Sequence, residues 1–408
     1  MIRVSRLIVI GAAVLLSSLP MLSRASVWPM QKEEWTASDE KQYATWVERV
    51  TAGPPEKLFE ASSGALAALR STPMDCADFV YGLRILYASK NGLPFQSKGG
   101  ISAASNRWDH IPSERRLNAF LKDAFSALST RTLVNDTEPV PSLTRRHVGS
   151  GTLLLAAPEI GHAWVLRKVR DTGIPELIFG SVPARTEVFL RDGLPRGEAV
   201  YGKVKTTNGS SAGLRRWISG GNDVSTPSSS LKVQRPQEWR PAVFRALEIR
   251  PEPLIESIGR ELGNLCRDAT VRAKLVRDAA ALRTRGCLHG KDQYNYSTTN
   301  RDSRLKEGFL DLWEVWMTAN DFVDEQRRSS QGLPLRLQRV LDDINQVFSN
   351  RILNSDVEEV VCPVEIQSGE PISLRDIRDA TINGRLSVDP NESIRARWGL
   401  EPEVGGCH

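Results

Sequence analysis

Two residues of this 408-residue chain have the type and placing for nucleophilic chemistry. Cys76 lies in "DCADFVYGLRILYASKNGLPF", residues 75–95. There Asp75 can cap a helix, and Phe79, Val80, Leu83 and Leu86 recur at helical spacing until Asn91 and Gly92 end it. The thiol therefore falls in a first helical turn, where unpaired N–H groups and the positive end of the helix dipole favour the thiolate, the nucleophilic form. Asp78, near the third helical position, opposes this by its charge. A nucleophilic thiol needs a base that takes its proton near neutral pH, and His162 opens the run "HAWVLRKV" further along the chain. The structural alternatives are a buried helix-face cysteine and a strand-end histidine bonded to a backbone carbonyl.

The elements around these residues change period along the chain. "DEKQYATWVERVTAG", "KLFEASSGALAALRS" and "SERRLNAFLKDAFSAL" read as helices, the last with Ser113 as its N-cap. "GTLLLAAP", "HAWVLRKV" and "ELIFGSV" then read as short strands, with "RDTG" turning a hairpin near Thr172 and Gly173. That hairpin sets His162 across from about Ser181 to Pro183, so Ser181 is the candidate to orient the imidazole, with Glu176 and Glu187 as alternatives. Helices followed by a small antiparallel sheet make residues 27–205 an α+β domain. Residues 206–241, rich in Ser, Gly, Thr and Pro, read as a linker or long surface excursion, and residues 242–408 as a mainly α-helical domain whose last predicted helix closes at Gly384.

The order of "DCADFV", "SGTLLL" and "GHAWVL" resembles the papain-like NlpC family of bacterial cell-wall cysteine peptidases, over roughly residues 70 to 185. In that family a "DCSGF"-like helix start carries the nucleophile and a "GHVGIY"-like strand carries the base. "HAW" is also similar to the transglutaminase-like branch of the same superfamily. The resemblance implies a papain-like fold for the first domain and a thiol hydrolase in which Cys76 attacks an amide of a peptidoglycan stem peptide. His162 would accept the thiol proton, and the N–H groups of the helix start would hold the oxyanion. Two rivals stand beside it: a non-catalytic envelope protein that keeps the scaffold to bind wall fragments or a protein partner, and a transglutaminase-like acyl transferase.

The N-terminus, "MIRVSRLIVIGAAVLLSSLPMLSRAS", reads as a secretory signal over residues 1–25 cut after Ala25, so an exported chain, periplasmic or extracellular, is expected. No segment reaches the ~20 apolar residues of a membrane span. Three of the 54 basic residues lie in the leader, leaving 51 against 49 acidic ones, a charge near +2 with both signs interspersed, which argues against a nucleic-acid partner. Export permits disulfides, and Cys266, Cys287, Cys362 and Cys407 can pair locally as the first two and the last two, though three connectivities remain open. Zinc spacings of the two-residue kind are absent from the sequence, so no metal and no cofactor is expected. Trp108, Trp217 and Trp239 sit in polar stretches and are candidates for stacking on sugar rings, whereas Trp313 and Trp316 read as core. "YNYSTTNRDSR", residues 294–304, precedes a helix with hydroxyls, Asn and two arginines, a composition able to grip an anionic ligand or simply to cap the helix.

Overall fold

The computed structural model describes residues 26–59, 66–156, 161–196, 205–206, 209–210, 212–218, 236–329, 332–348, 361–402 and 407. The secretory leader read at residues 1–25 lies outside them. Helix α2 (Cys76–Lys90) is the centre of the N-terminal region, with every residue from Cys76 to Ala88 buried. This burial takes in even Arg84, whose guanidinium pairs with Glu40 (2.5 and 2.8 Å) and lies 3.1 Å from the centre of the Trp35 ring. Around it pack α1 (Ala37–Val50) and α3 (Ser113–Ala127). The helix read at residues 57–71 appears, among the described residues, only as two 3-10 turns, Pro55–Lys57 and Ala67–Leu69. In α3, Ser113 is the first helical residue; Pro112 holds the cap position and makes no side-chain capping bond.

After a short α4 (Thr130–Asp136) come β1 (Thr137–Pro139), β2 (Leu153–Leu155), β3 (Ala163–Val169), β4 (Pro175–Phe179) and β5 (Phe189–Asp192). Two two-residue strands, β6 (Lys205–Thr206) and β7 (Gly209–Ser210), precede β8 (Gly213–Trp217). One sheet runs in the order β1-β8-β2-β3-β4-β5 with every neighbouring pair antiparallel. Because side chains alternate, Leu153, Leu155, Ala163, Val165 and Ile178 meet α2 and its neighbours, while Leu154, Trp164, Leu166, Leu177 and Phe179 form a second core on the opposite face. Helix α5 (Pro236–Leu247) covers that second face with Trp239, Val243 and Leu247.

Two expectations change here. The segment read as a linker or surface excursion contains β8, which fills the gap between β1 and β2, and the start of α5. Its Ser and Gly content hid a strand whose partners lie about 60 to 80 residues earlier in the chain. Trp108, Trp217 and Trp239 are all buried, so none is free to stack on a sugar, and Trp313 is 44 % exposed instead of belonging to the core.

The C-terminal region is helical: α6 (Leu254–Arg283), α7 (Gly290–Tyr296), α8 (Thr299–Arg328), α9 (Leu335–Phe348), α10 (Leu374–Ile382) and α11 (Ile394–Arg397), with a ribbon of β9 (Val364–Gln367) and β10 (Glu370–Ile372). Its core joins α6, α8, α9, α10 and the ribbon. The cysteines pair as Cys266 with Cys362 and Cys287 with Cys407, each with Cα atoms 5.9 Å apart. The local pairing of Cys266 with Cys287 fails because α6 carries the chain away at about 1.5 Å per residue, roughly 26 Å between Cys266 and the helix end. No helix among the described residues is long and apolar enough to cross a membrane, and two disulfide pairs are compatible with export.

Candidate functional site

Helix α2 begins at Cys76 because the residues before it cap it from both directions. The Asp75 carboxylate accepts the N–H groups of Ala77 (2.8 Å) and Asp78 (2.9 Å), and the Asp78 carboxylate accepts the N–H of Asp75 (2.9 Å). The helix head is then sealed against the sheet. Met74 pairs with Arg185 through two backbone hydrogen bonds, and a Cβ placed on Gly180 would stand 2.2 Å from the Asp75 carbonyl oxygen, so glycine is required for this approach.

The thiol that results is enclosed. Cys76 is 2 % exposed, and its sulfur lies 3.9 Å from the Gly161 carbonyl oxygen, to which the S–H can donate. Burial pushes the thiol up to about 12, and the charge on Asp75 adds to the shift; the nearby backbone N–H groups of Ala163 and Ala77 offset only part of it. Thiolate is scarce at any physiological pH.

His162 is 8 % exposed and precedes β3 by one residue. Its ring packs edge-on against Trp164 (4.2 Å between centroids) and Phe179 (5.2 Å), which belong to the face of the sheet away from α2. It is Ala163, the next residue, that packs in the core with α2, and the sulfur meets the backbone carbonyl of Gly161, whereas the imidazole packs with the other core. No hydrogen bond joins them, and the imidazole Nε2 is buried without a partner. Burial, with Arg304 and Arg301 next in effect, holds this histidine well below the ordinary range, so the ring is neutral.

The other candidates are placed as follows. Continuing the register of Val165 with Ile178 by three residues sets Ser181 across from His162, but its hydroxyl accepts from Nη2 of Arg301 (3.0 Å), not from the imidazole. Glu176 binds Arg170 (2.8 Å) and Lys168 (3.3 Å) at the far end of β4, and Glu187 pairs with Lys274. None of the three orients His162.

The sequence offered no sign of the charged seam that joins the sheet to α6 and α8. Arg191 meets Asp268 (3.1 Å), Arg240 grips Asp311 with two bonds (2.8 and 2.9 Å), Arg196 meets Asp311 (2.8 Å), and Arg185 pairs with Asp278. From the stretch "YNYSTTNRDSR", Arg301 and Arg304 enter this seam within the first two turns of α8 and come to lie beside Ser181 and Phe179. Among the described residues no group of three or more His, Cys, Asp or Glu side chains could hold a metal. A cleft of about 430 Å³ lies elsewhere, lined in part by Arg283, Gln367, Arg395 and Glu401. In comparisons with known proteins, no family model, no curated protein and no solved structure matches the chain significantly.

Proposed function

We propose that this chain is an exported, non-catalytic binding protein of the bacterial cell envelope, built on a papain-like scaffold and recognising wall-derived peptides. The observation that carries the non-catalytic part is that the Cys76 thiol is protonated and enclosed in one core while the His162 imidazole packs against Trp164 and Phe179 in the other, with no hydrogen bond between them. The wall-peptide part rests on the resemblance of the segments around Cys76 and His162. In this reading the buried cysteine packs the head of α2 against β3 and β4, and the disulfides stabilise the helical region outside the cell.

The test is a sedimentation and cleavage experiment with purified peptidoglycan. The full exported chain is expected to sediment with the sacculi and to release no new amino groups, and Cys76→Ser is expected to do the same. Amino groups released by the wild type and absent with Cys76→Ser would overturn it.

A second reading is the thiol hydrolase. What favours it is the His162 Nε2, buried with no partner, together with the place of Cys76 at a helix head where the backbone N–H groups of Ala163 and Ala77 act to lower its thiol. It requires His162 and Cys76 to come to the same side of β3, and the same cleavage measurement decides it.

A further inference from the structure

Where the sheet meets α6 and α8, the arginines are neutralised by carboxylates: Arg191 by Asp268, Arg196 and Arg240 by Asp311, Arg267 by Asp192, and Arg185 by Asp278. Arg301 and Arg304 break this rule. Arg301 donates to the Ser181 hydroxyl (3.0 Å) and to the Val182 carbonyl, has no carboxylate partner among the described residues, and leaves its Nε sealed from solvent with no acceptor. Arg304 makes no hydrogen bond or ion pair among the described residues; its guanidinium stands 5.5 Å from the centre of the Phe179 ring. Being partly exposed, it can be reached from solvent.

Three further facts make these two cations costly as they stand. They follow each other by three residues on one helix, so like charges share a face. They occupy the first two turns of a 30-residue helix, where the dipole favours anions and opposes cations. The third group on the spot, the imidazole of His162, is more than nine-tenths buried with its Nε2 unpaired, and both arginines lie near enough to disfavour its charged form. The acidic groups facing Arg304 are Asp268, the Cys76 thiol and Glu307, and none pairs with it: Asp268 is bonded to Arg191, burial keeps the thiol protonated, and Glu307 is itself drawn toward its neutral form by burial. Asp302, the acid nearest Arg301 along the helix, is held by Arg272 and Thr298. Two half-buried cations without a carboxylate partner among the described residues, beside a neutral imidazole that can donate from Nε2, lack one component, an oxyanion.

We propose that Arg301, Arg304 and His162 form a binding site for a carboxylate of a peptide ligand. The planar guanidinium fork matches a carboxylate in two parallel N–H bonds, the imidazole N–H supplies a third donor, and Phe179 gives the adjoining part of the ligand an apolar floor. The inference rests on the wall-peptide reading above and names what that ligand presents.

Calorimetric titration of the full exported chain tests it with three probes: a wall stem peptide with free carboxylates, the same peptide with its carboxylates amidated, and inorganic phosphate. The free peptide is expected to bind, the amidated one at least about tenfold more weakly, and phosphate not to compete. Arg304→Ala is expected to weaken the free peptide by about tenfold or more and to leave the amidated one unchanged, with Arg304→Lys between the two because it keeps charge and loses the fork. Circular dichroism and melting of each variant establish that it is folded. Equal binding of both peptides, or binding indifferent to Arg304→Ala, would overturn the carboxylate site while leaving the wall-peptide reading intact. If neither peptide binds and phosphate does, both fall and the site is one for phosphate; if nothing binds, both fall as well.

Discussion

The state of Cys76 is open to a direct chemical measurement. With the four other cysteines in disulfides, this residue is the free thiol of the chain. A thiol pushed up to about 12 is ionised to roughly 1 part in 30,000 at about pH 7.5, whereas an unperturbed one at about 8.5 is ionised to roughly 10 %. Thiolate is the species that reacts, so the folded protein is expected to be alkylated at least about 1,000-fold more slowly than the unfolded chain, before any further slowing from enclosure. The assay is intact-mass time courses with iodoacetamide, under non-reducing conditions, for the native protein and for the protein in concentrated guanidinium. The perturbation is His162→Ala. Because the imidazole lies on the other face of β3 with no bond to the sulfur, its removal is expected to change the native rate by no more than about twofold at any pH. A native rate within tenfold of the unfolded one, or a rate already high near pH 6 that falls on His162→Ala, would refute this and restore the paired nucleophile.

Three further outcomes follow from the packing around the site. Burial and the neighbouring Asp75 raise the Asp78 carboxyl to about 8. As an acid whose folded value lies above the unfolded one of about 3.9, it contributes its full stability below about pH 4 and loses it as pH rises toward 8; Asp78→Asn should flatten that part of the melting-temperature profile, and an equal loss at every pH would contradict it. Gly180→Ala, which sets a Cβ 2.2 Å from the Asp75 carbonyl oxygen, should cost about 2 kcal/mol or more in urea unfolding, and a neutral result would mean that the approach of α2 to β4 is looser than described. Asp311, fully enclosed and bonded by Arg240 and Arg196, should cost about 3–5 kcal/mol when replaced by Ala, because the largely buried Arg240 guanidinium is left without its carboxylate and Arg196 keeps only the exposed Glu314; a loss under about 1 kcal/mol would show that the seam is not needed to hold the two regions together.

What could be read from sequence was whatever is settled within a few residues. Asp75 and Asp78 fix the start of α2, Gly173 with its positive φ allows the turn between β3 and β4, and Gly384, also at positive φ, follows the end of α10. Each needs only the local backbone and a neighbour three or four positions away. The face of the sheet on which His162 falls is another matter. Alternation along β3 was legible, but its phase relative to α2 depends on how the sheet as a whole packs, and a shift of one residue moves the imidazole from the thiol to the opposite core. β8 escaped notice because its pairing lies with β1 and β2, far back in the chain, and its flanks carry turn residues. The disulfides, 96 and 120 residues apart in sequence, and the pairing of each arginine in the seam were likewise decided only by tertiary structure. Composition records which charges exist. Only the packing of α6 and α8 against the sheet determines which of them meet a carboxylate and leaves Arg301 and Arg304, among the described residues, without one.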